Sequence, residues 1–298
     1  MCGIVGLFLK DQNLHPDLGS MLTTMLITMT NRGPDSAGIA IYGSGCEDKC
    51  KLTIQSDNPS NDFKILVDDL EKAIGCDVSV VKKDTHAVLY LPTGSIGAAR
   101  EQIAKRHKSI RVMSCGNSIE IYKEVGLPSD VAGRFQIETM AGSHGVGHTR
   151  MATESEVNTM GAHPFSTGDD QCLVHNGSLS NHNRLRLNLV RNGAKIETNN
   201  DSEVAAAYLT LQMQQGSSLS EALKSSLVDL DGFFTFVVGT KNGFGVVRDP
   251  IACKPAVMAE TDQYVAFGSE YRALVNLPQI DNARVWEPEP ATVYFWNH

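Results

Sequence analysis

The chain opens MCGIVGLFLK (residues 1–10), and the reading of this stretch decides the fold. Ile4, Val5, Leu7, Phe8 and Leu9 form a nearly continuous apolar run of strand length, with Gly6 allowing another backbone or ring to come close. That is the signature of a strand buried on both faces. Cys2 stands directly in front of it. As a packing residue it would be an ordinary small hydrophobe. Its place immediately behind the initiator methionine permits a second reading, in which the thiol is exposed at a new N-terminus. The rest of the chain bears on the choice.

The 298 residues suffice for one large domain or two ordinary ones. With 42% apolar and 20% charged residues, the composition is that of a globular protein. The apolar runs fall short of the ~18–20 residues of a membrane helix, and no basic segment leads into an apolar one at the start. Neither a membrane partner nor a secretory signal is expected. Seven cysteines, an odd number, are too few for a disulfide framework and predict reduced thiols in a cytoplasmic protein. Cys46 and Cys50 make a CxxxC pair, but no second pair of ligands stands at suitable spacing, so no metal site is expected. A net charge of −8 argues against nucleic acid. The basic run at 100–111, REQIAKRHKSIR, reads as a solvated helix face or as a docking surface for a partner or an anion.

Moving outward from residue 10, Leu18, Leu22, Met25 and Met29 recur at helical spacing over 17–30, and NRGPDSAG (31–38) reads as a turn before a strand at 39–42. Residues 46–141 look like an inserted α+β segment, with helices near 63–75 and 94–108 and four strand-like runs. From 144 the chain becomes rich in polar motifs. Helices are predicted near 201–214 and 219–229, followed by GFFTFVVG and FGVVRD on either side of Lys241-Asn242-Gly243, a strong hairpin signal. Two further strands, a short helix at 270–275 and a strand–turn–strand tail complete the pattern. Strand runs with helices segregated between them predict an α+β layered fold of packed sheets with helices outside.

The polar motifs suggest chemistry. If Met1 is removed, Cys2 carries a thiol and a free α-amine, with reference pKa values of ~8.5 and ~7.7–8.0. The neutral amine can take the thiol proton directly or through one water, which places a nucleophile beside its own base. In LVHNGSL (173–179), Asn176 and Gly177 read either as a plain turn or as an oxyanion hole formed by a side-chain amide and a backbone N–H. Arg150, in GHTRMAT (147–153), stands at a predicted strand end and calls for a carboxylate, from a ligand or from one of the chain's 34 acids. Asp201, in NNDSE (199–203), reads as a helix cap or as the partner of an ammonium group. Arg150 and Asp201 together could hold both ends of an α-amino acid.

These pieces resemble the class II glutamine amidotransferase domain, an N-terminal-nucleophile (Ntn) hydrolase. The matching segments run in order: CGIVG (2–6), RGPDSAG (32–38), GHTRMAT (147–153), HP (163–164), HNGSLSN (175–181), NDSE (200–203), LDGFFTFVV (230–238), RDP (248–250) with KP (254–255), and GSE (268–270). They span nearly the whole chain apart from 46–141. The resemblance implies a four-layer αββα sandwich of two mostly antiparallel sheets, a single domain over 2–298 carrying the insertion. It implies Cys2 as nucleophile on the glutamine side-chain amide and Asn176 and Gly177 as oxyanion hole. Arg150 would bind the α-carboxylate, Asp201 the α-amine, and Arg32, Thr153 and His163 would shape the glutamine pocket.

Met151 departs from the aromatic residue common after the GHTR arginine, and Glu154 from a common histidine. The format of about 300 residues resembles the glutaminase-like subunit of N-methylglutamate synthase and glutamate-synthase-like complexes. That likeness implies a hetero-oligomer in which a separate synthase subunit uses the ammonia. Any flavin would belong to that partner, and no cofactor is expected on this chain. Two other readings stay open: an Ntn-type amidase acting on a different amide, and a non-catalytic regulatory or scaffold subunit.

Overall fold

The computed structural model describes residues 2–45, 48–152 and 156–298. The opening stretch forms β1 (Gly3–Leu9), buried at every position. It is followed by α1 (Leu18–Thr28), β2 (Ser36–Tyr42), β3 (Lys49–Ser56), α2 (Pro59–Ile74), β4 (Ser79–Lys83) and β5 (His86–Pro92). Next come α3 (Ile96–Arg106), β6 (Ile110–Gly116), β7 (Ile119–Val125), α4 (Pro128–Arg134) and β8 (His144–Arg150). The second half holds β9 (Gln171–Leu179), α5 (His182–Arg191), α6 (Asp201–Gln214), α7 (Leu219–Asp229), β10 (Gly232–Thr240) and β11 (Gly243–Arg248). It closes with β12 (Val257–Glu260), β13 (Tyr264–Gly268), β14 (Arg284–Trp286) and β15 (Thr292–Asn297).

These strands build three sheets. The largest has the order β14-β12-β13-β1-β8-β2-β7, the second β15-β11-β10-β9, and a third β4-β5-β3-β6. Every pairing is antiparallel. β1 lies mid-sheet, which is why its residues are apolar on both faces. Ile4 and Phe8 point toward the second sheet and pack with Val174, Val237 and Phe244. Val5, Leu7 and Leu9 point the other way, onto Leu22, Met25 and Leu26 of α1. Gly6 is where Phe244 comes in: a Cβ there would stand 2.8 Å from the ring. The second sheet turns its other face to α6 and α7 through Phe234, Phe236, Val204, Leu209 and Leu223. Helix, sheet, sheet, helix is the αββα order, a mixed α/β sandwich of antiparallel sheets as expected from the sequence.

The third sheet has its own core with α2 and α3, built on Leu52, Phe63, Leu66, Leu89 and Ile103. It accounts for only part of the 46–141 stretch. β7 leaves it and pairs with β2 along the edge of the large sheet, from Ser36↔Val125 to Tyr42↔Ile119. Residues from 119 onward therefore belong structurally to the large sheet and the α1 layer, and the separate unit lies within 49–116. The reason is visible at Asp170, whose carboxylate accepts the N–H groups of Asn117, Ser118 and Ile119 at 2.8, 2.8 and 3.0 Å. This clamp turns the chain from one sheet into the other.

Candidate functional site

Cys2 sits at the head of β1, half-buried, with its backbone held on three sides. Its carbonyl accepts Arg32 Nε at 2.9 Å and Asn176 Nδ2 at 3.2 Å. The next residue but one, Ile4, exchanges two bonds with Ser269: Ile4 N–H donates to Ser269 Oγ at 2.9 Å and Ser269 N–H to the Ile4 carbonyl at 2.9 Å. The peptide that follows Cys2 is thereby fixed. The Cys2 Sγ makes a long hydrogen bond, 4.0 Å to the Met151 carbonyl.

Each holder has a structural reason for its place. Arg32 ends the 3-10 turn Thr30–Arg32 after α1, and its side chain is 7% exposed. Nη1 pairs with Glu270 Oε1 at 2.7 Å, and the other carboxylate oxygen takes Arg272 Nε at 2.7 Å. Asn176 is an inward residue of β9. Gly177 beside it has φ +154, and a Cβ there would stand 2.0 Å from the Phe233 carbonyl. Only glycine fits that position.

Arg150 ends β8, one residue past Thr149, which pairs with Gly3. It is therefore carried to the same end of the sheet as Cys2. It is buried, and the segment 156–161 wraps it. Nη1 donates to the Glu156 carbonyl at 3.3 Å, and Gly161 lies so close that a Cβ would be 3.0 Å from Nη1. Asn158 Oδ1 accepts the Gly161 N–H at 2.8 Å. Asp35 spans the same corner: its N–H donates to the Arg150 carbonyl at 3.1 Å, and its carboxylate accepts Ala152 N–H at 2.8 Å.

Asp201 is the first residue of α6 rather than its cap. Capping falls to Asn200, whose side chain accepts Ser202 N–H at 2.9 Å. Asp201 instead accepts the Leu179 N–H at 2.8 Å and approaches His175 Nδ1 to 3.8 Å, which ties α6 to β9 three residues beyond Asn176. Its side chain is 21% exposed. A carboxylate in the first helical turn is also favoured by the helix dipole.

His163 is buried and stacks on His148 at 4.0 Å between ring centroids, while Phe165 meets it edge-on at 4.9 Å. It precedes Pro164 through a cis peptide bond. His148 Nε2 in turn lies 3.1 Å from the His175 carbonyl. Burial pushes all three imidazoles down: His148 to about 3, His175 to about 4, with Asp201 opposing the shift, and His163 well below its ordinary value. They are a neutral, packed wall behind the site. Thr153 lies outside the described residues.

The structure thus brings Cys2, Arg32 and Asn176 into direct contact and sets Gly177, Arg150 and Asp201 on the adjoining strand ends and helix start. His163 supports from behind. Sequence reasoning assigns no individual role to Ser269, Glu270, His175 or Asp35, although they lie within the GSE, HNGSLSN and RGPDSAG segments. Among the described residues, no group of three or more His, Cys, Asp or Glu side chains could hold a metal ion, and no helix is long and apolar enough to cross a membrane. A cavity of about 780 Å³ lies between α3, β6 and α6, but none of the candidate residues lines it.

Residues 148–276 match the sequence family described as a glutamine amidotransferase domain. The glutamine amidotransferase-like protein GlxB of Rhizobium meliloti (strain 1021) is 66% identical over 298 residues, which is 100% of this chain and 99% of that protein. The chain belongs to the glutamine amidotransferase-like family. An amidophosphoribosyltransferase of Methanocaldococcus jannaschii is 30% identical over 167 residues, covering 55% of this chain and 36% of the relative. The glutamine phosphoribosylpyrophosphate amidotransferase structure from B. subtilis, with ADP and GMP, superposes with a TM-score of 0.62 at 18% identity. It covers 99% of this chain and 47% of that one, so this chain spans about half its length. At that identity the likeness concerns the fold. Within the glutamine amidotransferase-like family, then, this chain carries the sandwich with a small third sheet added at the edge.

Proposed function

We propose that this protein is a glutaminase subunit whose nucleophile is Cys2 after removal of Met1. The supporting observation is the convergence at the head of β1, where Arg32 and Asn176 pin the Cys2 carbonyl at 2.9 and 3.2 Å and so fix the position of the residue that carries the thiol. A nucleophile is effective when its attacking atom is held in a near-attack geometry, and a pinned peptide is the first requirement for that.

In this reading the neutral Cys2 amine takes the thiol proton, and the sulfur attacks the side-chain carbonyl carbon of glutamine. The carbonyl oxygen becomes an oxyanion facing the Asn176 amide and the Gly177 N–H. An Asn amide has two N–H donors, so one can hold Cys2 while the other serves the oxyanion. Collapse breaks the carbon–nitrogen bond. The leaving nitrogen takes the proton from the Cys2 ammonium and departs as ammonia. Water then cleaves the γ-glutamyl thioester to glutamate and free thiol. Arg150 holds the α-carboxylate, Asp201 the α-amine, and Arg32, Thr153 and His163 shape the pocket. The site residues, the single domain over 2–298 and the N-terminal amine are part of this proposal.

The ammonia is assigned to a separate, flavin-binding synthase subunit in a hetero-oligomer of the N-methylglutamate synthase or glutamate-synthase-like kind, in the cytoplasm. The matched length of the 66% identical relative supports a stand-alone format.

The test is the intact mass of the native protein before and after 6-diazo-5-oxo-L-norleucine, a glutamine-like label. Loss of Met1 and one adduct mapped to Cys2 is expected. Retained Met1 with no adduct would leave a fold without this chemistry.

A further inference from the structure

Among the described residues, two buried ammonium groups lie outside the site above: Lys51, which pairs with Glu120 at 2.8 Å, and Lys123, on edge strand β7. Lys123 is 4% exposed. Its Nζ donates to three backbone carbonyls, Ala162 at 2.8 Å, Pro164 at 3.3 Å and Met160 at 3.4 Å, and lies 4.7 Å from the Phe165 ring centroid. Burial pushes its pKa down to about 8, with Glu203 and Glu197 opposing and Arg150 adding to the shift. Taking an ammonium out of water toward neutral carbonyls is costly, and an apolar side chain of similar length would fill the space more cheaply.

The three carbonyls explain the expense. Met160 and Ala162 flank Gly161, the residue packed against the Arg150 guanidinium at 3.0 Å for a notional Cβ. Lys123 therefore grips the chain on both sides of the point where it touches Arg150. The same segment continues into His163, whose carbonyl fits against Gly38 only because that residue has no Cβ: one would stand 1.9 Å away. From the other end, Asn158 Oδ1 fixes the Gly161 N–H. From edge strand β7, Lys123 holds the wall over Arg150 through these three carbonyls, and its neighbour Glu124 accepts the Thr159 hydroxyl of the same segment.

We propose that Lys123 is a positioning residue for recognition of the substrate α-carboxylate, acting through the 160–164 segment that it clamps over Arg150. This rests on the reading of Arg150 given above. The clamp sets how the guanidinium is presented, and so how well the pocket distinguishes a charged α-carboxylate from a neutral group.

The experiment measures protection of Cys2 from 6-diazo-5-oxo-L-norleucine by L-glutamine and by L-glutaminamide, whose α-carboxylate is a neutral amide. The intact chain is used as wild type, Lys123→Met, Lys123→Arg and Arg150→Met. Wild type is expected to prefer glutamine. Lys123→Met should lose on the order of tenfold in glutamine protection with little change for the amide, and Lys123→Arg should restore part of it. Gly161→Ala, which disturbs the same contact from the other side, should show the same selective loss and serves if Lys123→Met fails to fold. A parallel loss for both ligands, or no loss, overturns the proposal while the Arg150 reading stands. If Arg150→Met leaves the preference intact, the Arg150 reading fails and this inference falls with it.

Discussion

Arg32 and Asn176 donate to the same atom, the carbonyl oxygen of Cys2, from opposite sides of the chain order. A carbonyl oxygen has two lone pairs, and these two donors occupy both. The peptide after Cys2 is thereby fixed by an arginine following α1 and an amide from β9. Because Arg32 is itself held by Glu270, the head of β1 is set by three segments at once: the turn after α1, β9 and the segment after β13.

Cys2→Ala should abolish glutamine hydrolysis and labelling while moving Tm by no more than about 2 °C. Cys2 is only half-buried, so the loss of one sulfur atom there removes little packing. Ammonia release and a thermal melt on the same preparation check this. Wild-type turnover in the variant would remove Cys2 from the mechanism.

Asn176→Ala should lower kcat by about 10²–10³, the usual cost of one oxyanion donor. Because the same amide also pins Cys2, the loss should exceed that of Arg32→Met, which leaves one donor on the carbonyl. Single-turnover labelling of both variants decides the order. Equal losses would mean that Asn176 acts only through the Cys2 peptide.

Arg150→Ala should raise KM for glutamine by about 10–100-fold with kcat within a few-fold. Charged hydrogen bonds lost in ground and transition state alike are worth about 1.5–3 kcal/mol. An unchanged KM would instead assign the guanidinium to holding the 156–161 segment.

Acid should unfold the protein through its buried histidines. His86, His144 and His148 are held at about 3 and His175 at about 4, each chiefly by burial. The unfolded chain takes up these protons near pH 6.5 and the folded one only near 3–4. Between those limits the unfolded state binds more protons, so stability falls as pH falls, by up to about 1.4 kcal/mol per pH unit for each group. Thermal melts from pH 7 to 4 should show a steep decline. His144→Gln, remote from the candidate site, should make it shallower. An unchanged slope in that variant would show that His144 does not contribute.

Much of the fold was legible because its determinants are local and periodic. The apolar run at 3–9, the helical spacing from Leu18 to Met29 and the Asn242-Gly243 hairpin all appear where predicted. Two helices escaped notice. α5 buries only Leu189, so its pattern is mostly polar, and α4 has seven residues, too few to show a period. β2 begins at Ser36 rather than 39 because strands on both sides pair with those residues, a tertiary effect no turn signal reports. At the site, Cys2, Arg150 and Asn176 stood out by residue type. Ser269 and Glu270 did not, since they act on β1 from the far end of the chain. Lys123 was invisible for a related reason: its meaning lies in three carbonyls about forty residues away.

The pairing of Tyr42 with Ile119 has a consequence for how such a chain can diversify. The path leaves the large sheet at one residue and returns at the residue beside it. Everything between is, topologically, the loop of a single hairpin. Added length there leaves the strand order of the large sheet unchanged, while Val88 and Met113 of the added unit join the cores of the sandwich. That makes the hairpin a tolerant point of growth, since a long surface insertion adds little closure cost to the strands that bracket it.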